Sequence, residues 1–108
     1  MKKFDKNYVL VKDMYDDDYF PNFLVDKVKN LILDLIAYLE MGEQDITKIQ
    51  EKCDEITLAI NDLDEEFYEN DSELETVARE SIGASVEYVL NWFEIPIDCE
   101  EAIRNREW

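Results

Sequence analysis

Apolar residues recur along most of the chain at alternating steps of three and four. From Pro21 onward, Leu24, Val28, Leu31, Ile32, Leu35 and Leu39 mark one face of a helix. Pro21 suits the first turn, where no backbone N–H is needed, and Gly42 suits the stop. The pattern predicts a first helix over Pro21–Met41. Asp45 can cap the next one. There Ile46, Ile49, Cys53, Ile56, Ile60, Leu63 and Phe67 form a heptad seam. Such a seam serves packing within one chain or pairing with a second helix. Ser72 and Glu75 have the spacing of a capping box. Leu74, Val77, Ala78, Ser81, Ile82, Ser85, Val89 and Trp92 follow on one face of a third helix, which Pro96 closes. Small residues at Gly83, Ala84 and Ser85 predict close approach of a neighbour. A short last helix is expected from Asp98 to Asn105. Residues 1–20 read as an arm in which Tyr8-Val9-Leu10-Val11 is either extended or a first turn of helix; it is expected to pack on the body rather than form a sheet, because no second strand candidate exists.

The predicted fold is all-α: an up-down-up antiparallel bundle of three long helices, with a short C-terminal helix and an N-terminal arm. Its core is expected from Leu24, Val28, Leu31, Leu35, Ile49, Ile56, Ile60, Leu63, Val77, Ile82, Val89 and Trp92. A chain of 108 residues is enough for one domain, 1–108, and its 46% apolar content is enough for a core.

Charge changes this picture. There are 28 acidic and 11 basic residues, a net charge of −17. Such a field repels nucleic acid and anionic membranes and favours a basic protein partner. The charge is concentrated: residues 43–69 hold ten acids against two bases, and residues 70–93 five against one. The stretch DLDEEFYENDSELE, Asp62–Glu75, has eight acids and no base. Acids at a helix C-terminus oppose the dipole and repel one another. Asp62, Asp64, Glu65, Glu66, Glu69, Asp71 and Glu73, with Tyr68 among them, are therefore the expected partner-binding residues. Phe67 belongs to the seam and is expected inside, whereas Tyr68 lies about 100° further round.

Candidate chemistry is sparse. Without histidine, the chain lacks the commonest general base and metal ligand. Asp16-Asp17-Asp18 fails as a calcium loop, because Pro21 stands at its sixth position and Lys27 at its twelfth. A bundle di-iron site needs Glu-x-x-His pairs, and paired acids acting on glycosides need a cleft. Cys53 and Cys99 stand apart and read as free thiols of a reducing compartment. The expectation is a non-enzymatic protein with no catalytic residues, metal or cofactor, at work in the cytoplasm without contacting membrane or nucleic acid directly. Monomer and dimer both stay open.

The stretch MYDDDYFPNFLVDKVKNLIL resembles the opening motif of a family of small bacterial helical proteins known only as a domain of unknown function. The resemblance rests on Tyr15, Asp17, Asp18, Tyr19, Phe20, Pro21, Phe23, Leu24, Val25, Asp26 and Lys27, and continues weakly to Trp92 and Phe93. It implies bacterial origin and carries no activity.

Three functions compete. The first is an inhibitor of a basic partner, in the manner of an immunity protein, which predicts an acidic patch with an aromatic centre such as Tyr68. The second is a nucleic-acid mimic filling a DNA- or RNA-binding cleft, which predicts an evenly spaced ribbon of carboxylates. The third is a structural or regulatory subunit that pairs through its heptad seam.

Overall fold

The computed structural model of the chain describes residues 2–108; Met1, the first residue of the predicted arm, lies outside the described residues. Five helices follow one another: α1 (Lys12–Asp16), α2 (Asn22–Glu40), α3 (Ile46–Glu69), α4 (Thr76–Trp92) and α5 (Cys99–Ala102). No strand occurs among the described residues.

The seam behaves as an internal one. Ile49, Cys53, Ile56, Ile60, Leu63 and Phe67 are buried, and only Ile46 at its start is exposed. Its closest backbone neighbour is α2, which contributes Leu24, Val25, Val28, Ile32, Leu35, Ile36 and Leu39 to the same core. The two helices run antiparallel: the Lys52 ammonium stands over the Tyr38 ring near their turn, and Lys27 pairs with Glu66 far from it.

The third long helix departs from a simple up-down-up bundle. α4 approaches α1, α2 and α5, and makes no close backbone approach to α3. α5 lies between α3 and α4 and touches both. The small residues of α4 explain where these short elements dock. The buried Ser85 hydroxyl accepts a hydrogen bond from the Val11 N–H at 2.9 Å, which holds the start of α1. The Gly83 carbonyl accepts one from the Cys99 thiol at the start of α5.

Three of the expected core residues sit elsewhere. Leu31 and Val77 are half-buried at the edge of the core. Trp92 is the seat of the arm rather than core: its indole N–H donates to the Lys3 carbonyl at 2.8 Å, and the Lys2 ammonium stands over its ring. Around it Phe4 meets Tyr8, Tyr88, Trp92 and Phe93, and Tyr8 stacks on Tyr88 with centroids 3.9 Å apart. Asp5 accepts from the Tyr88 hydroxyl at 2.7 Å, and that bond, with the Asn7 N–H second, holds its carboxyl below the usual carboxylate range. The arm thus packs on the body, as expected, and its one helical turn, α1, starts just after the apolar run, with Val11 at its N-cap.

The predicted boundary at Ser72 is displaced. α4 begins at Thr76, and the capping box does not form: the Glu75 N-cap position has no side-chain cap. Ser72 instead closes α3. Its N–H donates to the Phe67 carbonyl at 2.8 Å and the Asp71 N–H to the Tyr68 carbonyl at 3.1 Å, a Schellman ending with Asp71 in the left-handed region at φ 60°. α4 ends the same way at Glu94 (φ 57°), ahead of Pro96. The last helix is shorter than predicted, Cys99–Ala102, and residues 103–108 continue as turns and irregular chain over α3.

Candidate functional site: an acidic groove at the end of α3

Helical periodicity divides the acidic residues in the C-terminal turns of α3 into two stripes. Asn61, Asp64, Glu65 and Tyr68 stand at i, i+3, i+4 and i+7, and Asp62, Glu66 and Glu69 form a second row about 100° away. The two rows meet different neighbours.

The second row faces the α2 side. Glu66 accepts from the Lys27 ammonium at 2.6 Å, and this ion pair offsets part of the repulsion there. Asp62 and Glu69 are exposed. The repulsion expected among these acids is therefore offset locally at Glu66. Asp64 is engaged as well: its Oδ1 accepts a long hydrogen bond from the Leu74 N–H at 3.4 Å.

The first row forms one wall of a groove of about 520 Å³. Asn61, Asp64, Glu65 and Tyr68 line it from α3, Glu73 and Leu74 from the α3–α4 connection, Arg79 from α4, and Glu107 and Trp108 from the tail. Asn61 fixes the tail there from both sides of its amide. Its Nδ2 donates to the Asn105 carbonyl, and its Oδ1 accepts from the Glu107 N–H, each at 2.9 Å. The Arg104 guanidinium adds a two-pronged contact with Asp54 (Nε–Oδ1 3.2 Å, Nη2–Oδ2 2.9 Å), about two turns before Asn61 along α3. The Trp108 ring is buried in the groove wall and its indole N–H has no acceptor among the described residues. Tyr68, by contrast, is 72% exposed. Four carboxylates, Asp64, Glu65, Glu73 and Glu107, face one cation in this groove. That cation, Arg79, donates to the Thr76 hydroxyl and makes no ion pair among the described residues.

Of the expected site residues, the groove gathers Asp64, Glu65, Tyr68 and Glu73. It leaves out Asp62, Glu66, Glu69 and Asp71, which lie on the neighbouring surface. Sequence reasoning missed Glu107 and Trp108, which reach the groove only through the path of the tail. The 61/64/65/68 spacing was available as a signal for Asn61.

The opening motif also converges on this end of the molecule. Phe20 is buried with its ring edge-on to Phe67, centroids 6.3 Å apart. Asp17 turns the chain by accepting from the Tyr19 N–H at 2.9 Å. The Tyr15 hydroxyl donates to Asp26 at 2.5 Å, and burial together with that bond pushes it up to about 12. Tyr19 is raised as well, by burial first and then by the charges of Glu73 and Glu75. The motif is thus the brace that sets α2 against the acidic end of α3.

The match to a family model covers residues 4–108. The chain belongs to the Family of unknown function (DUF5713). No curated protein and no solved structure matches it. In this DUF5713 chain the two thiols are held protonated at neutral pH. Burial, then Asp54 and Cys99, pushes Cys53 up to about 12, and burial, then Glu87, pushes Cys99 up to about 11. No group of three or more Cys, Asp or Glu residues with metal-site geometry occurs among the described residues. No helix there is long and apolar enough to cross a membrane. A larger recess of about 760 Å³ lies at the other end of α3, beside Gly42, Ile46 and Pro96. The carboxylate of Glu43 in that recess is already engaged by the Gln44 and Asp45 N–H groups.

Proposed function

We propose that this DUF5713 protein is a non-enzymatic interaction module. Its acidic α3–α4 end binds a basic protein partner and inhibits it, in the manner of an immunity protein. The observation that supports this reading best is the groove itself: four carboxylates and one unpaired cation beside an exposed Tyr68. Charge of one sign in a concave surface speeds and orients the encounter with an oppositely charged partner, and an exposed ring at its edge can anchor the complex. The proposed setting is a bacterial cytoplasm, in keeping with two unpaired thiols.

Mimicry of nucleic acid calls for an even ribbon of carboxylates. The acids here fall into two rows of different orientation, one partly neutralised by Lys27. Pairing through the heptad seam calls for an exposed apolar stripe, and the seam from Ile49 to Phe67 is buried. Both features favour the patch over its rivals.

The test is affinity capture from the native host with the wild type and with Glu65→Lys/Glu73→Lys. Binding of a basic protein by the wild type, with association slowed tenfold or more at low salt in the variant, supports the proposal. A partner captured equally by both proteins would overturn it.

A further inference from the structure

We infer that the groove between α3 and the tail is built to take an arginine-bearing extended segment of polypeptide. Its guanidinium would lie among Asp64, Glu65, Glu73 and Glu107 beside the Tyr68 ring, and a neighbouring backbone carbonyl would accept from the Trp108 indole N–H. The inference rests on the proposed acidic-end function and adds the chemistry of recognition.

Three observations carry it. First, the carboxylates come from different segments: Asp64 and Glu65 from α3, Glu73 from the connection, Glu107 from the tail. A planar guanidinium, with five donors in a fork, can satisfy carboxylates on more than one side, whereas an ammonium acts as a compact point charge. Second, Tyr68 is 72% exposed on the same wall, and an aromatic face beside acids favours a weakly hydrated cation that stacks. Third, the Trp108 side chain is 94% buried in this wall, and its N–H lacks a partner. An orphan buried donor is destabilising until an acceptor reaches it. None of the groove's acids serves as its acceptor: Asp64 accepts from the Leu74 N–H, and Glu65, Glu73 and Glu107 are exposed to solvent. A peptide supplies both missing parts, a cation for the acids and a carbonyl for the indole. A free metal ion or a simple amine supplies no acceptor. Because the indole N–H is covered, binding requires a small shift of the ring or of the tail, which is tied to α3 there through Asn61.

The test uses the full chain, labelled with 15N, titrated with a capped tetra-arginine peptide and with its tetra-lysine analogue at low salt. The chain has two tryptophans, so two indole N–H signals report. Trp92→Phe assigns them. The Trp108 signal is expected to move with the arginine peptide, and the Trp92 signal, whose N–H already donates to Lys3, to stay in place. Arginine is expected to bind at least fivefold more tightly than lysine. Glu65→Gln/Glu73→Gln should weaken arginine binding tenfold, and Asp62→Asn/Glu69→Gln, on the other row, less than twofold. Equal binding of the two peptides, equal loss from both rows, or an unmoved Trp108 signal would overturn the inference. If a basic partner is captured through Glu65 and Glu73 while Trp108 stays unmoved, the acidic-end function survives and only this mode of recognition falls.

Discussion

The two connections that flank α3 do the same job with opposite quality. At the α2–α3 connection every local device agrees. Gly42 occupies the left-handed position at φ 92°, where it costs no steric strain. Glu43 accepts from the Gln44 and Asp45 N–H groups, and Asp45 caps α3 by accepting from Thr47 and Lys48. At the α3–α4 connection the devices conflict. Asp71 stands where glycine would, the Ser72 hydroxyl is buried without a partner, and Glu75 opens α4 without a side-chain cap. Acids crowd the helix end whose dipole disfavours them. Local conflict of this kind is expected where a surface is selected for binding. The contrast teaches that the acidic groove sits on the connection that the fold alone has not optimised.

The largest expected effect tests what holds the second connection together at all. Phe67 is its apolar anchor, fully buried against Phe20. Phe67→Ala should cost about 3–5 kcal/mol in chemical denaturation. A loss under about 1 kcal/mol would mean that the connection hangs on its polar contacts instead.

Next comes a paired comparison of side chains that sequence alone treats as equivalent caps. Asp45→Ala removes two N–H contacts and should cost about 1 kcal/mol. Ser72→Ala removes a hydroxyl with no partner, and should be neutral or stabilise by up to about 1 kcal/mol. Equal losses from the two would erase the distinction between the connections.

The same comparison shows how far the sequence could be read. Gly42, Asp45 and Pro21 marked their boundaries correctly because those signals are local and unopposed. Ser72 misled because its spacing to Glu75 fits a capping box, while the chain uses its N–H to close the preceding helix on Phe67. The seam was legible from Ile49 to Phe67 because burial on one face imposes its own period. α1 was not, since a one-turn helix depends on a contact with Ser85, 74 residues away. Half of the groove was legible as well: acids and Tyr68 on α3 follow from composition and helical geometry. Trp108 and Glu107 were not, because long-range contacts tell the tail where to lie, among them the amide of Asn61 and the pairing of Arg104 with Asp54.

A smaller effect follows from backbone geometry. Asp71 and Glu94 each hold the left-handed position that ends a helix, at φ 60° and 57°. Asp71→Gly should stabilise by about 0.5–1 kcal/mol, because the relief of steric strain exceeds the added flexibility of the unfolded chain. Glu94→Gly should do at least as well, since glutamate lacks the short polar side chain that lets aspartate tolerate this region. Its ion pair with Lys2, at 4.0 Å and largely exposed, offers little to lose. If denaturation midpoints fall for both variants, the helix ends are set by their side chains and not by backbone strain.

The smallest effect separates charge from strain at the second connection. Salt screens exposed carboxylates over a distance of about 10 Å at 0.1 M, and less at higher concentration. Glu69, Asp71 and Glu73 are exposed and make no ion pair among the described residues, so their mutual repulsion is open to screening. Salt also weakens exposed pairs such as Lys27–Glu66, which acts in the opposite direction. With 28 acids against 11 bases, repulsion should win, and the melting temperature should rise on adding about 0.5 M sodium chloride, which shrinks the screening length well below about 10 Å. The decisive comparison is Glu69→Gln/Asp71→Asn/Glu73→Gln. Removing three charges at this one connection should raise the melting temperature at low salt and shrink the further gain from salt. A triple change at the other end of the chain's acid distribution, Glu51→Gln/Glu55→Gln/Glu101→Gln, breaks the Lys52–Glu55 and Arg104–Glu101 pairs and should show a smaller rise or none. If both triples respond alike, the repulsion is a property of net charge spread over the whole molecule, and the second connection has no special share in it.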